Sequence, residues 1–168
     1  MSTPTITPIA TGALLHDFRL PSGKPLILSF TSPLSYRVTG NIAYLGATIG
    51  RYANRIANAT LFLNNQTYVL PANNGPHTLH GGIEGWSHKQ WAGPVPENRG
   101  GREAVVFRLT SHHLDQGFPG EVRVSVAYFA ELSEAGKVAL EMEYEATLVG
   151  GAEETVVNMT NHRYFPPA

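Results

Sequence analysis

A sustained alternation of apolar and charged residues between positions 138 and 148 constrains the fold of this chain more than any other feature. Glu141, Glu143 and Glu145 share one parity. The residues of the other parity are apolar: Val138, Leu140, Met142, Tyr144, Ala146 and Leu148. A period of two is typical of a strand with one buried face and one wet face. The segment therefore predicts a half-buried strand whose glutamates are solubilising rather than catalytic or metal-binding.

The same period recurs in shorter segments that are bounded by Gly, Pro, Asn or Ser clusters. These segments predict strands over Pro25 to Phe30, Ile42 to Thr48, Ala104 to Thr110, Val122 to Ala130 and Glu154 to Asn161. Leu61 to Leu63 and Thr67 to Leu70 predict a hairpin, because the intervening Asn64-Asn65-Gln66 suits a tight turn. No strongly amphipathic helix stands out.

Many short strands with Gly- and Pro-bearing connections are typical of an all-β fold built as an antiparallel β-sandwich. Composition alone allows a jelly roll or a barrel equally well. The 168 residues suffice for one core, and no repeat, low-complexity tract or linker divides them. We therefore expect a single domain over residues 1–168.

Charge and composition narrow the class of partner. The formal net charge of −1, without a Lys/Arg cluster, predicts no nucleic-acid partner and no anionic membrane surface, and favours a neutral small molecule. The chain has no cysteine, so a disulfide or a thiolate site is impossible, and no cofactor motif is present. The N-terminal sequence lacks the pattern of a secretory signal, and no segment is long enough to span a membrane. We expect a soluble, cytoplasmic protein.

Two polar segments carry the functional signal. Residues 50–82 contain GRYANRI and LHGG, and residues 157–165 read VNMTNHRYF. These motifs, in this order and at this separation, resemble the aldose 1-epimerase (galactose mutarotase) family, whose members carry GRxANRI, LHGG and TNHSYF. The resemblance implies a mutarotase-like supersandwich and interconversion of the α and β anomers of an aldose such as galactose or glucose, without a cofactor.

The resemblance also implies roles for individual residues. His162 matches the general acid that protonates the ring oxygen, a task suited to a side chain with an unperturbed pKa of about 6.5. His80 matches a second histidine that bonds the sugar near that oxygen, and Asn54 and Arg55 match a pair that contacts sugar hydroxyls. Tyr164 has the parity of His162 in an extended segment and either contacts the sugar or packs in the core.

Neighbouring loop residues have mainly structural expectations. Gly81 and Gly82 would let the backbone approach a ligand closely. For Arg51 two roles are equally expected: an ion pair with a carboxylate that organises the loop, or a contact with the ligand. Asn73 and Asn74 are interpreted first as turn formers and second as ligands.

A metal site is the alternative for the histidine-bearing loop. His77, His80 and Glu84 are close in sequence, but three residues of extended chain place the two imidazoles on opposite faces. The adjacent His112 and His113 also point apart on a strand. The pattern therefore disfavours metal binding.

Two departures from the family pattern carry consequences. Arg163 stands where the family usually has Ser, and we expect its charge to reduce the protonated fraction of His162. The resemblance covers only the proximal half of the family's length, whereas the general-base Glu belongs to the distal half. No carboxylate near the motifs occupies the matching position. The chain is thus interpreted as truncated.

Two functional classes remain open on this basis. One is an aldose 1-epimerase that retains the sugar-binding and acid residues, and the other is a non-catalytic carbohydrate-binding or interaction protein derived from a mutarotase. In either case we expect fraying near His162, six residues from the end of the chain. We also expect self-association through exposed sheet edges and an uncovered apolar face. The residues of that face are Val122, Val124, Val126 and Tyr128.

Overall fold

The architecture was derived from a computed structural model, which describes residues 4–133 and 135–167. Nearly all regular structure in these residues is antiparallel strand, and this confirms the all-β prediction. The strands are β1 (Thr5–Ile9), β2 (Leu14–Arg19), β3 (Thr48–Ile49), β4 (Arg55–Ile56), β5 (Thr60–Leu63), β6 (Gln66–Val69), β7 (Thr78–Leu79), β8 (Ala92–Arg99), β9 (Arg102–Ser111), β10 (Glu121–Leu132), β11 (Val138–Gly150) and β12 (Thr160–Asn161).

The largest sheet has four strands in the order β11-β10-β9-β8, and all its pairs are antiparallel. Four two-stranded sheets accompany it: β1-β2, β12-β3, β4-β7 and β5-β6. One α-helix is present in the described residues, α1 (Pro33–Val38), whose N-terminus is capped by the Ser32 side chain. None of the described helices is long and apolar enough to cross a membrane.

The core lies between the inner face of the four-stranded sheet and the β1-β2 hairpin with its flanking loops. Phe107 of β9, Leu15 and Phe18 of β2, and the loop residues Trp86 and Trp91 fill this space. The inner residues of β10 are also buried, with exposed fractions of 3% or less: Val122, Val124, Val126 and Tyr128. The expectation that this face is uncovered is therefore wrong, because β2 and the tryptophan loop cover it.

The long alternating segment behaves as predicted. Residues 138–150 form β11, and five of its six alternating apolar residues pack partly buried against the core, the exception being the exposed Ala146. On the opposite face, Glu141 pairs with Arg102 at 2.7 Å, and Glu143 and Glu145 both lie 3.4 Å from Arg99. The glutamate row is thus a solvated face whose charges are paired with arginines of β8 and β9 in the same sheet.

Of the shorter strand predictions, those in the four-stranded sheet are confirmed. Residues 104–110 and 122–130 lie in β9 and β10, and the predicted hairpin is β5 and β6 around Asn64 and Asn65. The eight-residue β8 was not predicted, since Pro94 and Pro96 argue against a strand and are tolerated here at the sheet edge.

Three strand predictions are wrong in whole or in large part. Residues 25–30 are extended but change partners, because Leu26 N–H bonds Phe18 and Leu28 N–H bonds Tyr164. Residues 42–47 form consecutive turns, and only Thr48 enters a strand. Of residues 154–161, only Thr160 and Asn161 are in a strand. In these segments the backbone bonds do not build a continuous ladder.

Candidate functional site

A cleft of about 540 Å³ brings together the segments that carry the sequence motifs. The pairing of β4 with β7 sets Arg55 opposite Leu79, and that of β3 with β12 sets Thr160 opposite Ile49. The cleft contains all five predicted site residues, and its full lining is Ile42, Ala43, Tyr44, Ala53, Asn54, Arg55, Leu79, His80, Thr160, His162 and Tyr164. No carboxylate is among these lining residues.

His80 is held in the cleft by two reciprocal bonds with the backbone of Asn54. The His80 N–H donates to the Asn54 carbonyl at 2.9 Å, and the Asn54 N–H donates to His80 Nδ1 at 3.1 Å. Because Nδ1 accepts a hydrogen bond, the neutral ring carries its proton on Nε2. His80 therefore offers one donor, Nε2–H, to a ligand oxygen.

The protonation state of His80 follows from its surroundings. Burial of the ring, and then the charges of His162 and Arg55, lower the pKa of His80 to about 4. The imidazole is thus neutral near pH 7 and acts as a hydrogen-bond donor without becoming a cation.

Gly81 and Gly82 let the loop that carries His80 pack closely against neighbouring protein. A Cβ on Gly81 would clash with the Gly50 carbonyl, and one on Gly82 would clash with Gln116. Both glycines also have positive φ, of +85° and +102°. They let the loop pack against its own protein and so fix the backbone at His80.

His162 is firmly attached despite its position near the end of the chain. Its N–H donates to the Ala47 carbonyl and its carbonyl accepts from Gly46 N–H, both at 2.9 Å, while Leu28 N–H bonds the Tyr164 carbonyl at 2.8 Å. These bonds contradict the expected fraying. The ring nitrogens have no hydrogen-bond partner among the described residues, so both are available to a ligand.

The His162 ring is surrounded by other rings of the cleft. Its centroid lies 5.2 Å from that of His80, with planes at 77°, and 5.3 Å from that of Tyr164. Tyr164 is 39% exposed and lines the cleft, so it is placed for ligand contact and not in the core.

Arg163 does not sit beside His162 in the cleft. Alternation of the extended segment sends its side chain inward, where burial lowers the pKa of Arg163 although the neighbouring Tyr128 and Tyr144 oppose this shift. Its Nε and Nη1 atoms are buried and have no partner among the described residues. Arg163 is therefore not among the residues that line the cleft with His162.

Asn54 and Arg55 form one side of the cleft with help from the neighbouring loop. Arg55 Nε donates to Asn74 Oδ1 at 2.9 Å, and Arg55 Nη1 donates to Asn54 Oδ1 at 3.2 Å. The Asn73 side chain bonds the backbone of Leu79 twice: Oδ1 accepts from the Leu79 N–H at 2.7 Å, and Nδ2 donates to the Leu79 carbonyl at 3.0 Å. Asn73 and Asn74 thus support the site, and Asn74 orients the guanidinium.

Arg51 is structural, but its partners are not carboxylates. The residue is 1% exposed, and its guanidinium donates mainly to backbone carbonyls on two loops. The acceptors are the carbonyls of Ser111, His112, Pro119 and Gly120 and the hydroxyls of Ser111 and Thr155. Burial lowers the pKa of Arg51 to about 10. Backbone carbonyls and two hydroxyls thus take the place of the expected carboxylate partner.

No group of three or more His, Asp or Glu side chains within residues 4–133 and 135–167 is placed to hold a metal ion. His77 Nδ1 instead accepts from Asn58 N–H at 3.1 Å, and His112 pairs with Glu121 at 2.8 Å. Glu84 is exposed on the loop that follows His80.

Six of the eleven lining residues were not predicted from the sequence, and Tyr44 is one whose ring packs against His80. It precedes the first motif by several residues, in a segment predicted as a strand, and its side chain lies against His80 with ring centroids 4.8 Å apart. The sequence gives little indication of this contact, because the pattern around Tyr44 predicts a strand.

A protein-family model described as aldose 1-epimerase matches residues 4–168 of this chain. The chain belongs to the aldose 1-epimerase family. The resemblance inferred from the motifs is thereby confirmed.

Curated relatives match nearly the whole of this chain, but the match covers less than half of their own length. An uncharacterized isomerase of Saccharomyces cerevisiae is 38% identical over 165 residues, 96% of this chain and 46% of that protein. The aldose 1-epimerase of Escherichia coli is 37% identical over 164 residues, 95% of this chain and 44% of that protein. The chain spans about half the length of these relatives.

Solved structures of aldose 1-epimerase-like proteins share the fold. The GalM/aldose epimerase homologue from C. elegans has a TM-score of 0.79 at 29% identity, covering 98% of this chain and 48% of that one. The galactose 1-epimerase from Lactobacillus acidophilus has a TM-score of 0.77 at 26% identity, covering 97% and 46%. The sandwich-like all-β class is therefore established.

Proposed function

We propose that the cleft binds an aldose such as galactose or glucose and that His162 serves as general acid in the interconversion of its anomers. The observation that carries the proposal is the convergence of His162, His80 and Arg55 in one cleft, with the His162 ring nitrogens free. Such a set of donors suits a neutral, polyhydroxylated ligand.

The reaction requires two proton movements. A base removes the proton of the anomeric hydroxyl while His162 protonates the ring oxygen, and the bond between C1 and that oxygen breaks to give the aldehyde. Rotation about C1–C2 and the reverse proton movements close the ring on the other face. An imidazole gives up and regains a proton near neutral pH, which suits His162 to the acid role.

His80 supports this step without exchanging its own proton. Its fixed Nε2–H donates toward the ring oxygen and stabilises charge that develops there, as a preorganised donor does. Arg55, oriented by Asn74, and Asn54 contact the remaining hydroxyls, while Tyr164 borders the ligand beside His162.

The missing partner in this scheme is the base. No carboxylate lines the described cleft, so a base comes from water or from a polypeptide segment that these residues do not include. This observation favours, as a second candidate function, a non-catalytic carbohydrate-binding protein derived from a mutarotase.

Polarimetry of freshly dissolved α-galactose tests the proposal. We expect this chain to accelerate mutarotation at least ~10²-fold less than the Escherichia coli aldose 1-epimerase, because acid and base groups each contribute typically ~10²–10⁴-fold. The residual acceleration is expected to disappear in His162→Ala and to persist in His112→Ala, a matched control outside the cleft.

Three outcomes separate the candidates. Acceleration that survives His162→Ala would remove this residue from the mechanism. Rapid equilibration that depends on His162 would show that a local group replaces the base. Galactose binding, seen as shifts of the His80 and His162 NMR signals, without any acceleration would support the binding-protein alternative.

A further inference from the structure

Two bulky residues of the cleft share an uncommon backbone conformation. Tyr44 has φ +54° and His80 has φ +53°, in the left-handed region that is uncommon for residues other than glycine and especially for a bulky residue such as tyrosine. Their rings meet edge to face, with centroids 4.8 Å apart and planes at 75°. Residues held in this way cluster at ligand sites, where the surrounding structure fixes the side chain.

The turn around Tyr44 is built to hold it there. The side chain of Asn41, only 5% exposed, accepts from Leu45 N–H at 2.9 Å and donates to the Leu45 carbonyl at 3.3 Å. Tyr44 N–H donates to the Asn41 carbonyl at 2.8 Å, and the Tyr44 carbonyl accepts from Ala47 N–H at 3.0 Å. Both peptide groups that flank the tyrosine side chain are thus anchored.

The ring of Tyr44 contacts both histidines of the proposed reaction. Besides His80, it lies 5.8 Å from His162, centroid to centroid, with planes at 47°. The Tyr44 ring therefore packs against both imidazoles, whose ring centroids are 5.2 Å apart. Rotation of either imidazole toward the other is limited by this third ring.

The hydroxyl of Tyr44 is free to bind a ligand. Tyr44 lines the cleft, and its hydroxyl has no hydrogen-bond partner among the described residues. Burial raises the pKa of Tyr44, so the phenol stays neutral and can both donate and accept. A phenol hydroxyl that no protein group engages can bond a ligand hydroxyl directly.

We propose that Tyr44 is a ligand-contacting and positioning residue of the cleft: its ring sets the orientation of His80 and His162, and its hydroxyl bonds a sugar hydroxyl. This inference deepens the proposed function and, in its ligand contact, rests on it. The positioning role does not depend on a ligand.

The positioning role is tested on the sugar-free chain. NMR is expected to show nuclear Overhauser contacts between the ring protons of Tyr44 and those of His80. Tyr44→Leu is expected to shift the imidazole signals of His80 and His162, whereas Tyr44→Phe, which keeps the ring, leaves them nearly unchanged. Absence of the contacts in the unmodified chain would overturn the positioning role even if Tyr44→Leu fails to fold.

The ligand contact is tested by titrating galactose into the same variants. We expect Tyr44→Phe to weaken binding by about two- to tenfold, the range for loss of one hydrogen bond. Tyr68→Phe is the matched control, because its hydroxyl bonds Gln66 outside the cleft. Equal affinity of Tyr44→Phe and the unmodified chain would overturn the contact.

Failure of the proposed function has a separate signature. If the unmodified chain binds neither galactose nor glucose, the sugar contact falls together with that function. The sugar-free measurements still decide whether Tyr44 orients the two histidines.

Discussion

The protonation of His80 is the most quantitative consequence of the cleft geometry. Its pKa is lowered to about 4 by burial, by His162 and by Arg55, whereas a histidine in the unfolded chain titrates near 6.5. As the pH falls from 8, we expect the folded chain to keep His80 neutral, with its proton on Nε2, until about pH 4.

Linkage turns this shift into a dependence of stability on pH. Above about pH 6.5, His80 is neutral in both the folded and the unfolded state and does not make the free energy of unfolding depend on pH. Between about pH 6.5 and 4 the unfolded chain binds a proton that the folded chain does not, so the free energy of unfolding falls with falling pH. The full shift corresponds to about 3.4 kcal/mol at 1.36 kcal/mol per pH unit. Because the ring borders an open cleft, solvent screening reduces this to about 1–2 kcal/mol for the full shift, of which about half develops between pH 7.5 and pH 5.

Two measurements check the prediction. Nitrogen-15 NMR of the imidazole reports both the tautomer and the pKa of His80. Urea unfolding at pH 7.5 and pH 5, for the unmodified chain and His80→Gln, isolates the contribution of His80, because the other titrating groups are common to both proteins.

The control variants sharpen the result. Asn54→Gly keeps the backbone N–H that bonds Nδ1 and should preserve the tautomer. His162→Gln removes a neighbouring charge and should raise the pKa of His80. A His80 that titrates near 6.5, or that carries its proton on Nδ1, would refute the reasoning.

The remaining predictions concern the framework of the site. Arg51→Met should lower the free energy of unfolding by at least about 3 kcal/mol in urea denaturation, because several buried carbonyls lose their donor, whereas the exposed Arg37→Met should have little effect. Gly81→Ala should destabilise the chain more than Gly100→Ala in thermal unfolding, since both positions have positive φ but only the first Cβ meets backbone, at Gly50. Light scattering should show association through the open edge of β11, and a monodisperse monomer at high concentration would contradict this.

The sequence predicted the three longest strands, β9, β10 and β11. In these strands nearly every second side chain packs against the same core, with Ala146 as an exception, so the apolar pattern reflects the fold directly. Leu26 and Leu28 lie in a segment with a similar pattern, yet their backbone bonds go to different partners two residues apart. A residue pattern reports burial and not the identity of the hydrogen-bonding neighbour, so such segments are mistaken for strands.

The site was predictable in its members but not in its arrangement. The resemblance named His80, His162 and Arg55, and the structure brings them together through two very short strand pairs that no periodicity reveals. Tyr44 was missed because its role depends on a turn held by the Asn41 side chain. Such a contact has no periodic signature in the sequence.

The position of His162 is determined as much by the core as by the cleft. In the extended segment that carries it, the neighbouring side chains point inward: Asn161 Nδ2 donates to the Tyr128 hydroxyl at 3.1 Å, and that hydroxyl donates to the Ala13 carbonyl at 2.7 Å. Arg163 enters the same interior. A single strand-like segment therefore connects the packed sheet to the proposed acid, and the geometry of His162 depends on residues that no ligand touches.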